Sequence, residues 1–555
     1  TQLLPTDEVA RERLALSLGA ESVSAMLVDL SRHRDRVHGH FSDLIAEEVE
    51  IQVNQKLLPY MQAWRSGSWI EGAADPDPDL TESMLSLAQI PAVQRLSVVA
   101  RDNMAGFIPR LWLELARYRD APARLVSIRP LLEAIVRRSS YFVLFAENPL
   151  AIAELVKLVP ASPWLARQLQ EKPFLLDELT DRASLYRLPD RAELRAELHL
   201  LLLRVPEDDL ERQMELLRHF RHARVLRAAA CEISSVLPLM KISDYLAWVA
   251  EVVVDQSLAL AWRQLVARHG RPSKAGGDWC DPDFGVIAYG KMGGLELSYE
   301  SDLDLVFLHN ASVQGVTEGP KVIDNGVFMA RLGQKLIHLL SAITPSGRLY
   351  EIDTRLRPSG NSGLLVSSLT AFAKYQQDKA WTWEHQALIR ARFIAGDESL
   401  KHGFDALRAE LLAKPRDIDS LRCDVLAMRD KMRAHLSSRA QGADAQFDFK
   451  QDAGGIVDLE FLIQFLILAH AHDSPQLTRW SDNVRSIEAL YRCQIFAEAD
   501  RKNLLAAYLT LRQEVHHAIL KGESSQRNLS ELAPELAHIR GQVIDYWQRY
   551  LDPTE

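Results

Sequence analysis

Two aspartates one residue apart, Asp302 and Asp304, follow a glycine pair, Gly293-Gly294, and a third aspartate, Asp353, lies in a run alternating acidic and basic side chains. In extended chain, residues i and i+2 point the same way, so Asp302 and Asp304 aim two carboxylates at one place. Carboxylates that close raise each other's pKa unless a cation neutralises them. Mg²⁺ takes carboxylates together with substrate phosphates, and Asp353 on a neighbouring strand would complete a cluster for two such ions, Mn²⁺ being an alternative. The glycine pair leaves room for a phosphate, and its turn is expected to open into a helix N-terminus, a ready anion site. Plainer readings stand beside these. An Asp-x-Asp at a strand end is often a solvated edge. Arg355 and Arg357 either pair with Glu351 and Asp353 or clamp phosphate oxygens, and Lys291 divides the same way.

Short strands are needed to hold these groups. Phe284–Tyr289 and Asp302–Leu308 read as buried strands, and Arg348–Arg357 as a third that places Leu349, Glu351, Asp353, Arg355 and Arg357 on one face. Gly326–Ile343 reads as the helix between the second and third. Everything else is helical by apolar spacing: Arg11–Ser31, Ser42–Trp64, Val93–Arg117, Pro130–Phe145, Pro149–Leu158, Pro163–Glu171, Arg191–Leu203, Glu207–Ser235 and Ile242–Ala267. After the strands come Leu369–Arg392, Leu421–Leu436, Val457–Ala471, Val484–Cys493, Ala497–Leu520 and Leu529–Tyr550. Ala73–Asp79, with two prolines and three aspartates, is a loop, and Asp181–Asp190 is a hinge or boundary. The expected fold is therefore mainly α, with a small mixed α/β island flanked by helical bundles.

Composition narrows the function classes. The chain has 555 residues, 47% hydrophobic and 25% charged, with net charge −10. That balance excludes a disordered chain and argues against a nucleic-acid binder. No long apolar run is free of charge, so no membrane span is expected. Cys231, Cys280, Cys423 and Cys493 stand too far apart for a zinc site or a disulfide framework and suit a reducing cytoplasm. The chain opens on Thr1, with no initiator Met and no signal peptide, and reads as part of something longer. Weaker candidates are His470, His472 and Asp473, whose helical spacing diverges. Asp458 and Glu460 either cap or surface a helix, or face a nucleotide cleft. Trp381, Trp383 and His385 are either core or an adenine or partner wall. No P-loop, HExxH or GxSxG motif occurs.

The order Gly-Gly, Asp-x-Asp, Asp resembles the nucleotidyltransferase superfamily of DNA polymerase β. Longer strings are more specific: YGKMGGLELSYESDLDLVFLHN (289–310), RLYEIDTRLRPSGNSGLLVSSLTAFAKYQ (348–376), AWTWEHQALIRARFIAGD (380–397) and FDFKQDAGGIVDLEFLIQFLIL (447–468). Together they resemble the adenylyltransferase half of the glutamine synthetase adenylyltransferase family, over residues 205–550. The resemblance implies four segments: a helical bundle at 1–115 trailing a deadenylylating half, a helical linker at 116–204, the nucleotidyltransferase domain at 205–405 and a terminal helical bundle at 406–555. It implies Asp302, Asp304 and Asp353 as catalytic metal ligands, with Gly293, Gly294, Ser301, Lys291, Arg355 and Arg357 around ATP. It also implies transfer of AMP to a tyrosine hydroxyl of glutamine synthetase, with the PII signal protein and glutamine as regulators. The family carries a second Gly-Gly, Asp-x-Asp core for AMP removal, and this sequence has one. Two rivals remain: another protein nucleotidyltransferase, such as a PII uridylyltransferase, and a helical scaffold with an inactive core.

Overall fold

A computed structural model describes residues 7–18, 20, 22–30, 61, 62, 64, 86–274, 277–312, 314–436 and 446–551. They fall into two compact units, Thr1–Val236 and Leu237–Glu555.

The first unit is helical. Pro163–Glu171 and Arg191–Leu203 form as expected, because Ser162 accepts a hydrogen bond from Leu165 N and Asp190 makes a capping box with Glu193. Ser97 likewise starts Val98–Leu115, so the expected helix from Val93 begins five residues later, after a separate turn at Pro91–Gln94. Pro130 does not begin a helix. It sits inside Ala121–Ile135, and a second helix, Ser140–Glu147, comes after a break. Arg11–Ser31 is also interrupted, with Glu8–Ser17 and residues 23–30 helical on either side. Most of Ser42–Trp64 and all of Ala73–Asp79 lie outside the described residues. Within the proposed hinge, Asp181 caps a short helix at Arg182–Leu185, and the division into units falls later, at Val236–Leu237.

The second unit holds the sheet. β1 (Phe284–Ala288) pairs antiparallel with β2 (Leu303–His309). β2 pairs parallel with β3 (Ile352–Asp353) at one end and with β4 (Val366–Ser368) at the other. β5 (Arg392–Gly396) pairs antiparallel with the free edge of β1. β1 is buried throughout, because helices cover both faces, so its sequence is continuously apolar.

Two expectations are corrected here. The third strand ends at Asp353, so Arg355 and Arg357 share no strand face with it. The Asp353 carboxylate accepts a hydrogen bond from Arg355 N (2.8 Å), and this local bond turns the chain out of the sheet. The helix expected over Leu369–Arg392 is two, Leu369–Asp378 and Thr382–Ile389, parted by an extended Trp381, and β5 begins at Arg392. A small sheet, Gln446–Asp448 with Gln526–Asn528, joins the terminal helices.

Helices Ile418–Leu436, Ile456–His470, Asn483–Arg492, Glu498–Lys521 and Pro534–Tyr550 form the bundle. Ile456–His470 is largely apolar, and its Leu459, Leu462 and Ile463 share one core with Ile287, Val306 and Leu308 of the sheet. The sheet and the bundle thus share one packed core. Among the described residues, no helix is long and apolar enough to cross a membrane.

Candidate active site

Register assembles the carboxylates. Asp304 lies within β2, Asp302 sits two residues before it, and β3 pairs so that Asp353 stands beside Asp304. Parallel partners in register share a face. One oxygen of each carboxylate lies within 4.8 Å of the others, and no other such His, Cys, Asp or Glu group occurs among the described residues. Burial, with Asp302 and Asp353 beside it, pushes the Asp304 carboxyl up to about 6. Asp353 goes the other way: Arg355 Nε donates to it at 2.7 Å and holds it below the usual carboxylate range. Three carboxylates without a thiolate or imidazole make a hard oxygen donor set, crowded enough that a cation would relieve the charge at Asp304. The residues present fit Mg²⁺ or Mn²⁺.

The carboxylates face a cavity of about 410 Å³ within the second unit. The glycine nearest them is Gly290, which sequence reading passed over. It has φ +54°, and a Cβ there would lie 2.2 Å from Asp304 Oδ2. Gly293 and Gly294 close a four-residue helical turn instead of opening a helix. A Cβ on Gly293 would meet the Arg390 carbonyl at 1.9 Å, and one on Gly294 the Arg390 guanidinium at 2.6 Å. They make room for Arg390, and neither lines the cavity.

Lys291 does line it. Burial, then the neighbouring charges of Lys450 and Arg512, draw its pKa down to about 8. Ser301 stands one step behind, its Oγ accepting from the N–H of Ser298, a lining residue. Arg355 lines the cavity and is exposed, whereas Arg357 does not line it. The Arg357 guanidinium donates to Thr354 O and Oγ1 (both 2.9 Å), and to Asn361 O and Gly363 O, stapling the loop after β3.

Among the weaker candidates, Trp383 and Glu460 line the cavity. Trp381 is 70% exposed and not core. His385 Nε2 lies 3.0 Å from Gln376 O. Asp458 is buried, paired with Arg429 (2.7 Å) and Arg433 (2.9 Å), so it is not a surface residue. His470, His472 and Asp473 form no cluster. Sequence reading missed Lys450, Arg512 and Arg390, which lie far from the Asp-x-Asp pair in the chain and carry no local motif. Arg390 Nε donates to Gly290 O, and its two terminal nitrogens pair with Glu460 and the buried Glu296. Glu296 in turn accepts from Asn483 N (3.0 Å). This buried network ties the turn under the carboxylates to the bundle.

Residues 152–407 match the family model described as glutamate-ammonia ligase adenylyltransferase, and residues 426–543 match that of GlnD PII-uridylyltransferase. Three relatives are each named bifunctional glutamine synthetase adenylyltransferase/adenylyl-removing enzyme. That of Pseudomonas aeruginosa is 45% identical over 99% of this chain and 58% of its own length. The Pseudomonas putida protein is 44% identical over 97% and 57%, and that of Hahella chejuensis 42% over 99% and 58%. The chain thus spans less than two thirds of these relatives.

Proposed function

We propose, from the match of residues 152–407 to the glutamate-ammonia ligase adenylyltransferase family, that the chain transfers AMP from ATP to a tyrosine hydroxyl of glutamine synthetase. The tyrosyl oxygen forms the new bond to the α-phosphorus, the bond from that phosphorus to the β-phosphate bridge breaks, and pyrophosphate leaves with the hydroxyl proton passing to a base. The observation that carries the reading is the convergence of Asp302, Asp304 and Asp353 at the mouth of a cavity. These three would hold Mg²⁺ or Mn²⁺, which when bound supplies charge neutralisation at the phosphates and activation of the attacking hydroxyl.

The chain's own groups divide the remaining tasks. Lys291, Lys450 and Arg512 offer positive charge along the cavity, and Arg355 offers it at the exposed side, all suited to triphosphate oxygens. Arg355 keeps Asp353 ionised in the free protein, the form that ligates a cation and can accept the hydroxyl proton. Gly290 leaves space for Asp304 to face the reacting phosphate. Ser301, Gly293 and Gly294 act behind the site by shaping its turns, and Arg357 by holding the loop. The four-segment division at 115, 204 and 405 belongs to the same reading.

We further propose the PII signal protein and glutamine as regulators, supported by the match of residues 426–543 to a PII-uridylyltransferase model. A cytoplasmic location accords with four unpaired cysteines. With one Gly-Gly, Asp-x-Asp set in the sequence, AMP removal is assigned to no residues here. The test is transfer of label from α-labelled ATP or UTP to glutamine synthetase with Mg²⁺. Incorporation from ATP alone supports the reading. Incorporation from UTP into a PII protein instead favours the uridylyltransferase alternative, and none from either leaves a scaffold.

A further inference from the structure

Away from the carboxylates, the cavity changes character. Met428, Met432, Phe461 and Trp383 form an apolar wall, and two amides, Gln386 and Gln464, are set into it. Gln386 is 3% exposed and Gln464 7%. Gln386 Nε2 donates to Gln464 Oε1 at 3.3 Å. Gln386 Oε1, buried, has no hydrogen-bond partner among the described residues. A buried carbonyl left without a donor is costly and so marks a place where a ligand donor fits.

Resting on the nucleotide reading above, we propose that Gln386 and Gln464 read the base of the nucleotide and that the base is adenine. The bond between the two amides fixes what each has left to offer. Gln386, its nitrogen engaged, presents an acceptor, and Gln464, its oxygen engaged, presents a donor. Adenine carries the complement on one edge, an exocyclic amino donor beside a ring-nitrogen acceptor. Its faces suit a wall of methionine and aromatic side chains, which are polarisable and adaptable. Inosine sets a carbonyl against the Gln386 acceptor, and unsubstituted purine leaves it empty. Uracil has a donor and an acceptor too, but on a single ring. Sites built to hydrogen-bond a polar group reject analogues lacking it far better than apolar pockets reject a missing methylene.

The test is binding, so it does not depend on the protein substrate. Dissociation constants with Mg²⁺ are measured by calorimetry for ATP, purine riboside triphosphate, inosine triphosphate and UTP, on the wild-type chain and on Gln386→Leu. The wild type is expected to prefer ATP over purine riboside triphosphate by tenfold or more. Gln386→Leu should compress that preference to about twofold, mainly by weakening ATP. Both nucleotides are titrated into one preparation, so any loss of folded protein cancels from the ratio. Equal binding of ATP and purine riboside triphosphate by the wild type, a preference retained in Gln386→Leu, tighter binding of UTP, or no binding of any nucleotide overturns the assignment. A clear ATP preference without transfer to glutamine synthetase would sink the functional reading alone and leave the base pocket standing.

Discussion

Asp304→Asn tests the carboxylate cluster through stability before any activity is assayed. Asp304 has its pKa raised from 3.8 to about 6 by burial, by Asp302 and by Asp353. A carboxyl whose folded pKa lies above its unfolded one keeps its proton longer in the native state. The native state then binds more protons between pH 4 and 6, so stability falls as pH rises through that window. About two units correspond to roughly 3 kcal/mol lost above pH 6. The amide removes that cost while keeping the shape. At roughly 2 °C per kcal/mol for a unit of this size, the variant should melt roughly 6 °C above wild type at pH 7.5 without metal, and within a degree or two of it at pH 4. Saturating Mg²⁺ should close most of that gap. At 100 times its dissociation constant a ligand stabilises the wild type by about 2.7 kcal/mol, and the variant should gain little. Calorimetric melts at the two pH values, with and without Mg²⁺, decide it. A variant that melts no higher than wild type at pH 7.5 and keeps its Mg²⁺ shift would refute the cluster as a cation site.

Gly290→Ala should abolish transfer and the Mg²⁺ shift together, because its methyl competes with Asp304 Oδ2 for space. The left-handed backbone adds roughly 1–3 kcal/mol of strain, seen as a lower melting temperature. Arg355→Ala should raise the KM for ATP severalfold without changing the melting temperature, whereas Arg357→Ala should cost about 1–2 kcal/mol by releasing the 354–363 loop. Equal thermal effects of the two would show that the loop assignment is mistaken. Arg390→Met should destabilise by about 3–5 kcal/mol, since it leaves the buried Glu296, and Glu460 beside it, without their arginine. A chemical denaturation midpoint close to wild type would contradict the network.

The aspartates were legible because their signal is local. Asp302 and Asp304 declare themselves by an i, i+2 spacing inside an apolar strand, and the helices by their caps and apolar stripes. What escaped depends on partners far along the chain. Arg355 and Arg357 look alike in sequence, yet Asp353 bonds the next turn's N–H and ends the strand, sending one arginine to the cavity and the other into the loop. The segment GKMGG holds three glycines, and the pair draws attention. Only the backbone shows that Gly290 takes the positive φ and that Gly293 and Gly294 yield to Arg390. β5 hides in an arginine-flanked run that reads as the continuation of a helix, because its partner β1 lies over a hundred residues earlier. Gln386 and Gln464 meet across 78 residues, a pairing no spacing rule reaches.

Charge matching separates structure from function in this unit. Several of its buried acids are answered by arginines: Glu296 by Arg390, and Asp458 by Arg429 and Arg433. Glu296 has its pKa lowered accordingly, Arg390 and Arg512 outweighing its burial. Asp304 differs. It is buried beside two further carboxylates, Arg390 and Lys291 act on it only through space, and the nearest arginine of the cluster, Arg355, is bonded to Asp353. A cation held by the three carboxylates would recover the stability forgone at Asp304.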